Sequence, residues 1–191
     1  MKFQIVALVA FQSCAGFWPA GAASNNEYSR ESVLPPIGHT IFCQDYPKEC
    51  SNREPSALFQ LMNEDALYEN LATVNRLVNS VIIPARESIS ETANDRWLVF
   101  PVSGNCHDFA VSKRHELLRM GWPSAALRLA EVVLKTGEHH LVLVADIRGK
   151  RFVLDNLNPS PVLMLQASGY AWLRMESEGN VRYWVRADNN N

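Results

Sequence analysis

A thiol, an imidazole and a carboxylate in that chain order can carry out acyl transfer, and Cys106, His140 and Asp155 stand where their neighbours give them such a purpose. Cys106 follows Ser103-Gly104-Asn105, a turn-forming run, and opens a stretch with helical periodicity. At a helix start the backbone N–H groups lack intrahelical partners, and the helix dipole favours an anion. Both effects lower a thiol pKa toward the reactive thiolate. The same N–H groups can receive the oxyanion of a tetrahedral intermediate. A second role is equally open on position alone, because cysteine is often a small buried core residue.

The other two groups are brought together by a hairpin. Arg148-Gly149 separates the strand-like runs His140 to Ile147 and Arg151 to Leu154, and reads as a two-residue turn. If Ile147 faces Lys150, Asp155 falls opposite Val142, and His140 stands on the same face two residues along. That diagonal is roughly 7–8 Å between Cβ atoms, within reach of an imidazole and a carboxylate. His139 then points to the other face, so parity selects His140 unless a bulge intervenes. A carboxylate so placed fixes the imidazole tautomer and stabilises its charged form while the ring faces the thiol. Singly, His140 reads equally well as a satisfied core histidine and Asp155 as a turn residue before Asn156. With a spare thiol at a helix start, the three read as nucleophile, base and orienting acid.

These residues need elements to hold them. Asn25 to Pro55 reads as irregular, with Pro35-Pro36 and a Pro-containing loop. Pro55-Ser56 can open a first helix, and from Glu64 onward Leu67, Leu71, Val74, Val78 and Val81 recur at helical spacing until Pro84 ends the run. Arg86 to Arg96 is a charged connector, followed by the short apolar run Trp97 to Pro101. Ser103 or Asn105 can cap the helix of Cys106. Its stripe is Phe109, Ala110, Lys113, Leu117 and Leu118, and Gly121 and Pro123 end it. Strand-like runs follow at Leu127 to Leu134, His140 to Ile147, Arg151 to Leu154, Tyr170 to Arg174 and Val181 to Arg186. Helices first and a largely antiparallel sheet after predict an α+β fold.

The chain start sets the compartment. Lys2, the apolar run Phe3 to Phe11 and the small residues Ala20-Gly21-Ala22-Ala23 form the pattern of a removable secretory signal, cleaved near Ala22 or Ala23. About 168 residues then remain, enough for one domain with its own core. The net charge of -2 gives no basic footprint for nucleic acid, and no later run reaches the length of a membrane span. Removing the signal takes Cys14 and leaves Cys43, Cys50 and Cys106. An exported protein keeps disulfides. Pairing Cys43 with Cys50 closes a short loop in FCQDYPKEC and leaves Cys106 as the odd cysteine: buried and inert, bound to another chain, or reactive.

The segments GNCHDFAVSKRHELLRMGWP, HHLVLVADIRGKRFVLDNLNP and LATVNRLVNSVIIP resemble the bacterial transglutaminase-like cysteine peptidases, and FCQDYPKEC resembles the start of their exported alphaproteobacterial branch. The best-known members are periplasmic enzymes that clip surface adhesins. The resemblance runs from about Pro36 to Arg186, with the Cys, His and Asp-Asn elements in the family's order. It implies a papain-like, transglutaminase-type core with the nucleophile helix packed on an antiparallel sheet. The layout expected is a signal peptide over 1–23, an N-terminal segment with the disulfide over 24–55 and the peptidase domain over 56–187. The catalytic set implied is Cys106, His140 and Asp155, with Trp97 or a nearby backbone N–H as candidate second oxyanion donor.

The activity this resemblance implies is that of an exported, periplasmic or secreted cysteine peptidase, a thiol hydrolase working through a thioester acyl-enzyme. Its substrate would be a protein or peptide, with cell-surface proteins among the candidates. The same acyl-enzyme would serve a transglutaminase or amidase, and a fold that has lost activity would serve as a peptide-binding scaffold. Family members carry acidic residues on both sides of the cysteine, which bind calcium in the adhesin-clipping enzymes. Here Asn105 and His107 are the neighbours and Asp108 alone is acidic. Calcium wants several carboxylate oxygens, so the expectation is activity without a metal or other cofactor.

Overall fold

The computed structural model describes residues 31–85, 96–167 and 169–187. The expected signal segment with Cys14, and the connector over 86–95, lie outside the described residues. Four α-helices are present among those residues: α1 (Ile37–Asp45), α2 (Ala57–Leu61), α3 (Glu64–Val81) and α4 (Cys106–Arg119).

Strong local signals set the helix bounds. Asn63 Oδ1 accepts the Ala66 N–H at 2.9 Å, and Glu64 and Asp65 oppose the dipole in the first turn of α3. Leu67, Leu71, Val74 and Val78 of that helix are buried, whereas Val81, expected in the same stripe, is its exposed last residue. The end of α4 is a paired reversal: Gly121 N–H bonds Leu118 O and Trp122 N–H bonds Leu117 O, both at 3.1 Å. Gly121 holds φ +90°, and a Cβ there would fall 2.2 Å from Ser56 Oγ. Only glycine meets both demands.

The segment expected to be irregular contains α1. That helix has no side-chain cap and no acidic residue in its first turn, so local propensity does not announce it. Tertiary contacts hold it instead. Phe42 and Cys43 enter the main core, the Cys43–Cys50 disulfide closes its end, and buried His39 meets Glu176 Oε1 at 2.9 Å.

The strands form one seven-stranded antiparallel sheet in the order β1-β9-β8-β4-β5-β6-β7. They are β1 (Ser32–Val33), β4 (Leu127–Leu134), β5 (His139–Ile147), β6 (Lys150–Leu154), β7 (Val162–Leu163), β8 (Tyr170–Glu176) and β9 (Trp184–Arg186). A separate parallel pair joins β2 (Ile83–Pro84) to β3 (Ser103–Gly104), tying the end of α3 to the start of α4. The strand expected from Val181 begins only at Trp184, because a turn closed by Tyr183 N–H on Asn180 O precedes it.

Both faces of the central strands are covered. Leu141, Leu143, Ala145 and Ile147 pack with Phe109, Ala110 and Leu117 of α4 and Leu71 and Val74 of α3. Val142 and Val144 turn the other way, onto Ala130, Val132, Val153, Trp172 and Met175. The architecture is α+β, with α4 lying on an antiparallel sheet. Buried Arg114 fastens α4 in place, donating to Glu49 O at 2.7 Å and to Leu127 O at 3.3 Å.

Candidate active site

Cys106 is the first residue of α4, is half-buried, and is not part of the disulfide. Its turn is built by reciprocal capping. Asn105 Oδ1 accepts the His107 N–H at 3.0 Å, and Asp108 Oδ2 accepts the Asn105 N–H at 2.9 Å. The close approach requires Gly104, where a Cβ would stand 2.5 Å from Asp108 Oδ2. Asp108 Oδ1 accepts the Leu98 N–H at 2.7 Å, and Ser112 Oγ accepts the Phe100 N–H at 2.8 Å. The first turns of α4 therefore pin the loop before them. Buried Trp97 stacks on His107 at 4.9 Å between ring centroids, and Phe100 adopts a left-handed φ of 51°.

His140 and Asp155 are brought together. Ile147 pairs with Lys150 and Leu143 with Leu154, which sets Asp155 beyond the ladder at the level of Val142. Arg148 (φ 51°) and Gly149 (φ 88°) both hold positive φ, as a type I′ turn requires. His140 Nε2 lies 2.7 Å from Asp155 Oδ1, with both residues buried. His139 is exposed and meets Glu131 Oε1 at 2.6 Å instead. Parity thus separates the two histidines as the hairpin reading expects.

Asp155 gathers further donors. Leu157 N–H reaches Oδ1 at 3.0 Å, Asn158 Nδ2 reaches Oδ2 at 3.3 Å, and the Tyr170 hydroxyl donates to Oδ2. Burial works to raise the carboxyl pKa. The hydrogen bond and charge of His140, with the Tyr170 and Leu157 donors, outweigh burial and hold it below the ordinary value. Tyr170, Asn158 and Asn79, whose amide bonds Asp155 O at 3.0 Å, escape a reading of the sequence. Asn158 follows Asp155 closely enough to be suspected; Tyr170 reaches the site only through the pairing of β4 with β8.

Arg114 anchors the middle of α4 at Leu127, which pairs with Ala145 of β5. Cys106 packs with the helix-side core, whereas strand alternation puts His140 on the Val142 side of β5. Lys113, two helical turns beyond Cys106, is buried; burial draws its pKa down to about 7, opposed by the charge of Asp155.

Residues 29–191 match the family model for the bacterial transglutaminase-like cysteine proteinases. Among solved structures, Legionella pneumophila LapG in its calcium-bound form is similar at TM-score 0.53 and 23% identity, over 65% of this chain and 73% of that one. A second LapG structure matches at TM-score 0.52 and 23% identity over 64% and 70%, and an EGTA-treated one at 0.53 and 22% over 65% and 69%. At such identity the likeness shows a shared fold. No curated protein matches the chain.

Proposed function

The chain belongs to the bacterial transglutaminase-like cysteine proteinases, and on that premise we propose that Cys106 is its nucleophile, His140 its general base and acid, and Asp155 the carboxylate that orients the imidazole. The observation that carries the reading is the buried 2.7 Å bond between His140 Nε2 and Asp155 Oδ1. It commits Nε2–H to the carboxylate and leaves Nδ1, across the ring, as the atom that exchanges a proton with the thiol.

The reaction is acyl transfer. The Sγ proton moves to His140 Nδ1, and the thiolate attacks the peptide carbonyl carbon. The backbone N–H of Cys106, at the start of α4, stabilises the oxyanion. As the tetrahedral intermediate collapses, the C–N bond breaks, Nδ1–H protonates the leaving amine, and a thioester remains. Water then attacks that thioester while Nδ1 takes its proton, which returns to sulfur as the acid departs. Asp155 stabilises the imidazolium formed on the way. The substrate is a protein or peptide, and the enzyme works in the periplasm or outside the cell after a signal over 1–23 is removed, with an N-terminal segment over 24–55 and the peptidase domain over 56–187 in the mature chain. Among the described residues no helix is long and apolar enough to cross a membrane.

Calcium is the cofactor raised by the likeness to LapG, one form of which is calcium-bound. The residues around Cys106 do not fit it. Each oxygen of Asp108 already accepts a backbone N–H, Asn105 Oδ1 accepts another, and His107 offers nitrogen, a poor ligand for so hard a cation. Among the described residues, the set of three ligand atoms lying close together is His39, Cys43 and Cys50, which contains no carboxylate and includes both disulfide sulfurs. No step of the reaction is assigned to a metal.

The test is cleavage of a proteome-derived peptide library by the mature protein. Cys106→Ala and His140→Ala should abolish cleavage, and Asp155→Asn should slow it by orders of magnitude. Full activity in Cys106→Ala would sink the assignment.

A further inference from the structure

Asp155 is held from two sides. His140 occupies Oδ1; on the other side the phenol of Tyr170, from β8, two places in the sheet from the β5 strand of His140, occupies Oδ2. The Tyr170 ring lies edge-on to Trp172, with centroids 6.0 Å apart and planes at 84°, and this packing fixes where the hydroxyl points. Asn158 Nδ2 donates to both the Tyr170 hydroxyl, at 3.2 Å, and Asp155 Oδ2, at 3.3 Å. Asn158 is itself fastened to α3: its carbonyl accepts from Asn75 at 2.9 Å and from Asn79 at 3.2 Å. A continuous path of hydrogen bonds thus runs from α3 through Asn158 and Tyr170 to Asp155 and His140.

We propose that Tyr170 is a positioning residue for the proposed catalytic set, locking the Asp155 carboxylate so that Oδ1 stays aimed at His140 Nε2. The inference rests on Cys106, His140 and Asp155 being that set. A carboxylate bound on one oxygen alone can rotate about its Cβ–Cγ bond; on the second oxygen Tyr170 is the close donor, and Asn158, at 3.3 Å, holds it only weakly. Burial and the neighbouring carboxylate keep the phenol protonated far above the ordinary range, so it remains a donor at every working pH. The charged and titratable groups facing Asp155 are His140 from β5, Tyr170 from β8 and, through its field, Lys113 from α4.

The readout is the rate at which iodoacetamide alkylates Cys106 as a function of pH, which needs no identified substrate. Tyr170→Phe keeps the ring on Trp172 and removes only the donor. With the carboxylate loosened, the imidazolium that supports the thiolate loses a partner. The acid arm of the profile should then move upward by about one pH unit, the equivalent of a tenfold loss of alkylation below it. Asn158→Ala, which withdraws the amide from both Tyr170 and Asp155, should move the arm the same way, and decides the matter alone if Tyr170→Phe does not fold. A merely structural Tyr170 would lower the melting temperature and leave the arm in place, which would overturn the proposal; so would an arm that moves downward. His140→Ala separates the two levels of inference. If it too leaves the arm unmoved, the catalytic set itself is wrong. If it moves the arm and Tyr170→Phe does not, the role of Tyr170 alone falls.

Discussion

Changing Asp108 to asparagine tests whether the acidic residue beside the nucleophile builds the turn or holds a cation. The two oxygens of Asp108 accept backbone N–H groups from Leu98 and Asn105, at 2.7 and 2.9 Å, and the residue is 7% exposed. Asparagine keeps the shape and one acceptor, but turns its NH2 toward a backbone donor. One charge-assisted hydrogen bond, about 1.5–3 kcal/mol, is lost, and so is a negative charge at the start of α4, about 0.3–1 kcal/mol. The sum is about 2–4 kcal/mol, or about 4–16 °C in melting temperature for a chain of this size. Thermal melts of wild type and Asp108→Asn, each in EGTA and in millimolar calcium, should show that gap equally in both buffers. A gap that vanishes in EGTA and opens only with calcium would make Asp108 a ligand and overturn its role as the builder of the turn.

Other perturbations probe separate parts of the site and the fold. His140→Ala should abolish library cleavage and His139→Ala should leave most of it, because only His140 meets Asp155; equal losses would mean that the exposed histidine also serves the site. Cys43→Ser with Cys50→Ser should cost about 2.5 kcal/mol in denaturant unfolding, the chain entropy of a loop of that length. Non-reducing peptide mapping that pairs Cys106 with either cysteine would remove the nucleophile. Lys113 has its pKa drawn down to about 7, so between there and its ordinary 10.5 the unfolded chain binds the extra proton and stability rises with pH. Lys113→Met should therefore exceed wild type in melting temperature most at pH 6, with the gap narrowing toward pH 10. Each unit of depression is about 1.4 kcal/mol, and a gap independent of pH would show that Lys113 is charged throughout.

The features legible in the sequence were local ones. The Arg148-Gly149 turn fixes its own register, because two residues at positive φ allow only one short pairing, and the choice of His140 over His139 follows from parity. The α4 bounds are written in Asn105 and Gly121, whose side chain and backbone close the helix ends. The rest depends on residues far apart in the chain. Without a side-chain cap, α1 is held by a disulfide and by a carboxylate 137 residues away, so no window of sequence reveals it. Lys113 reads as part of an apolar stripe, and nothing local says that its ammonium is buried within the field of Asp155. Tyr170 is the same case at the site itself: its approach to Asp155 depends on the order of strands in the sheet.

Turnover through a thioester on Cys106 is the step on which the proposed chemistry stands. Acid quenching of the enzyme during cleavage of the peptide library, followed by peptide mapping, reads that step out. An acyl adduct should appear on the peptide containing Cys106 and be released by neutral hydroxylamine, with neither adduct nor cleavage in Cys106→Ala. Cleavage that continues in Cys106→Ala, or an adduct that maps to another residue, would rule out Cys106 as the nucleophile.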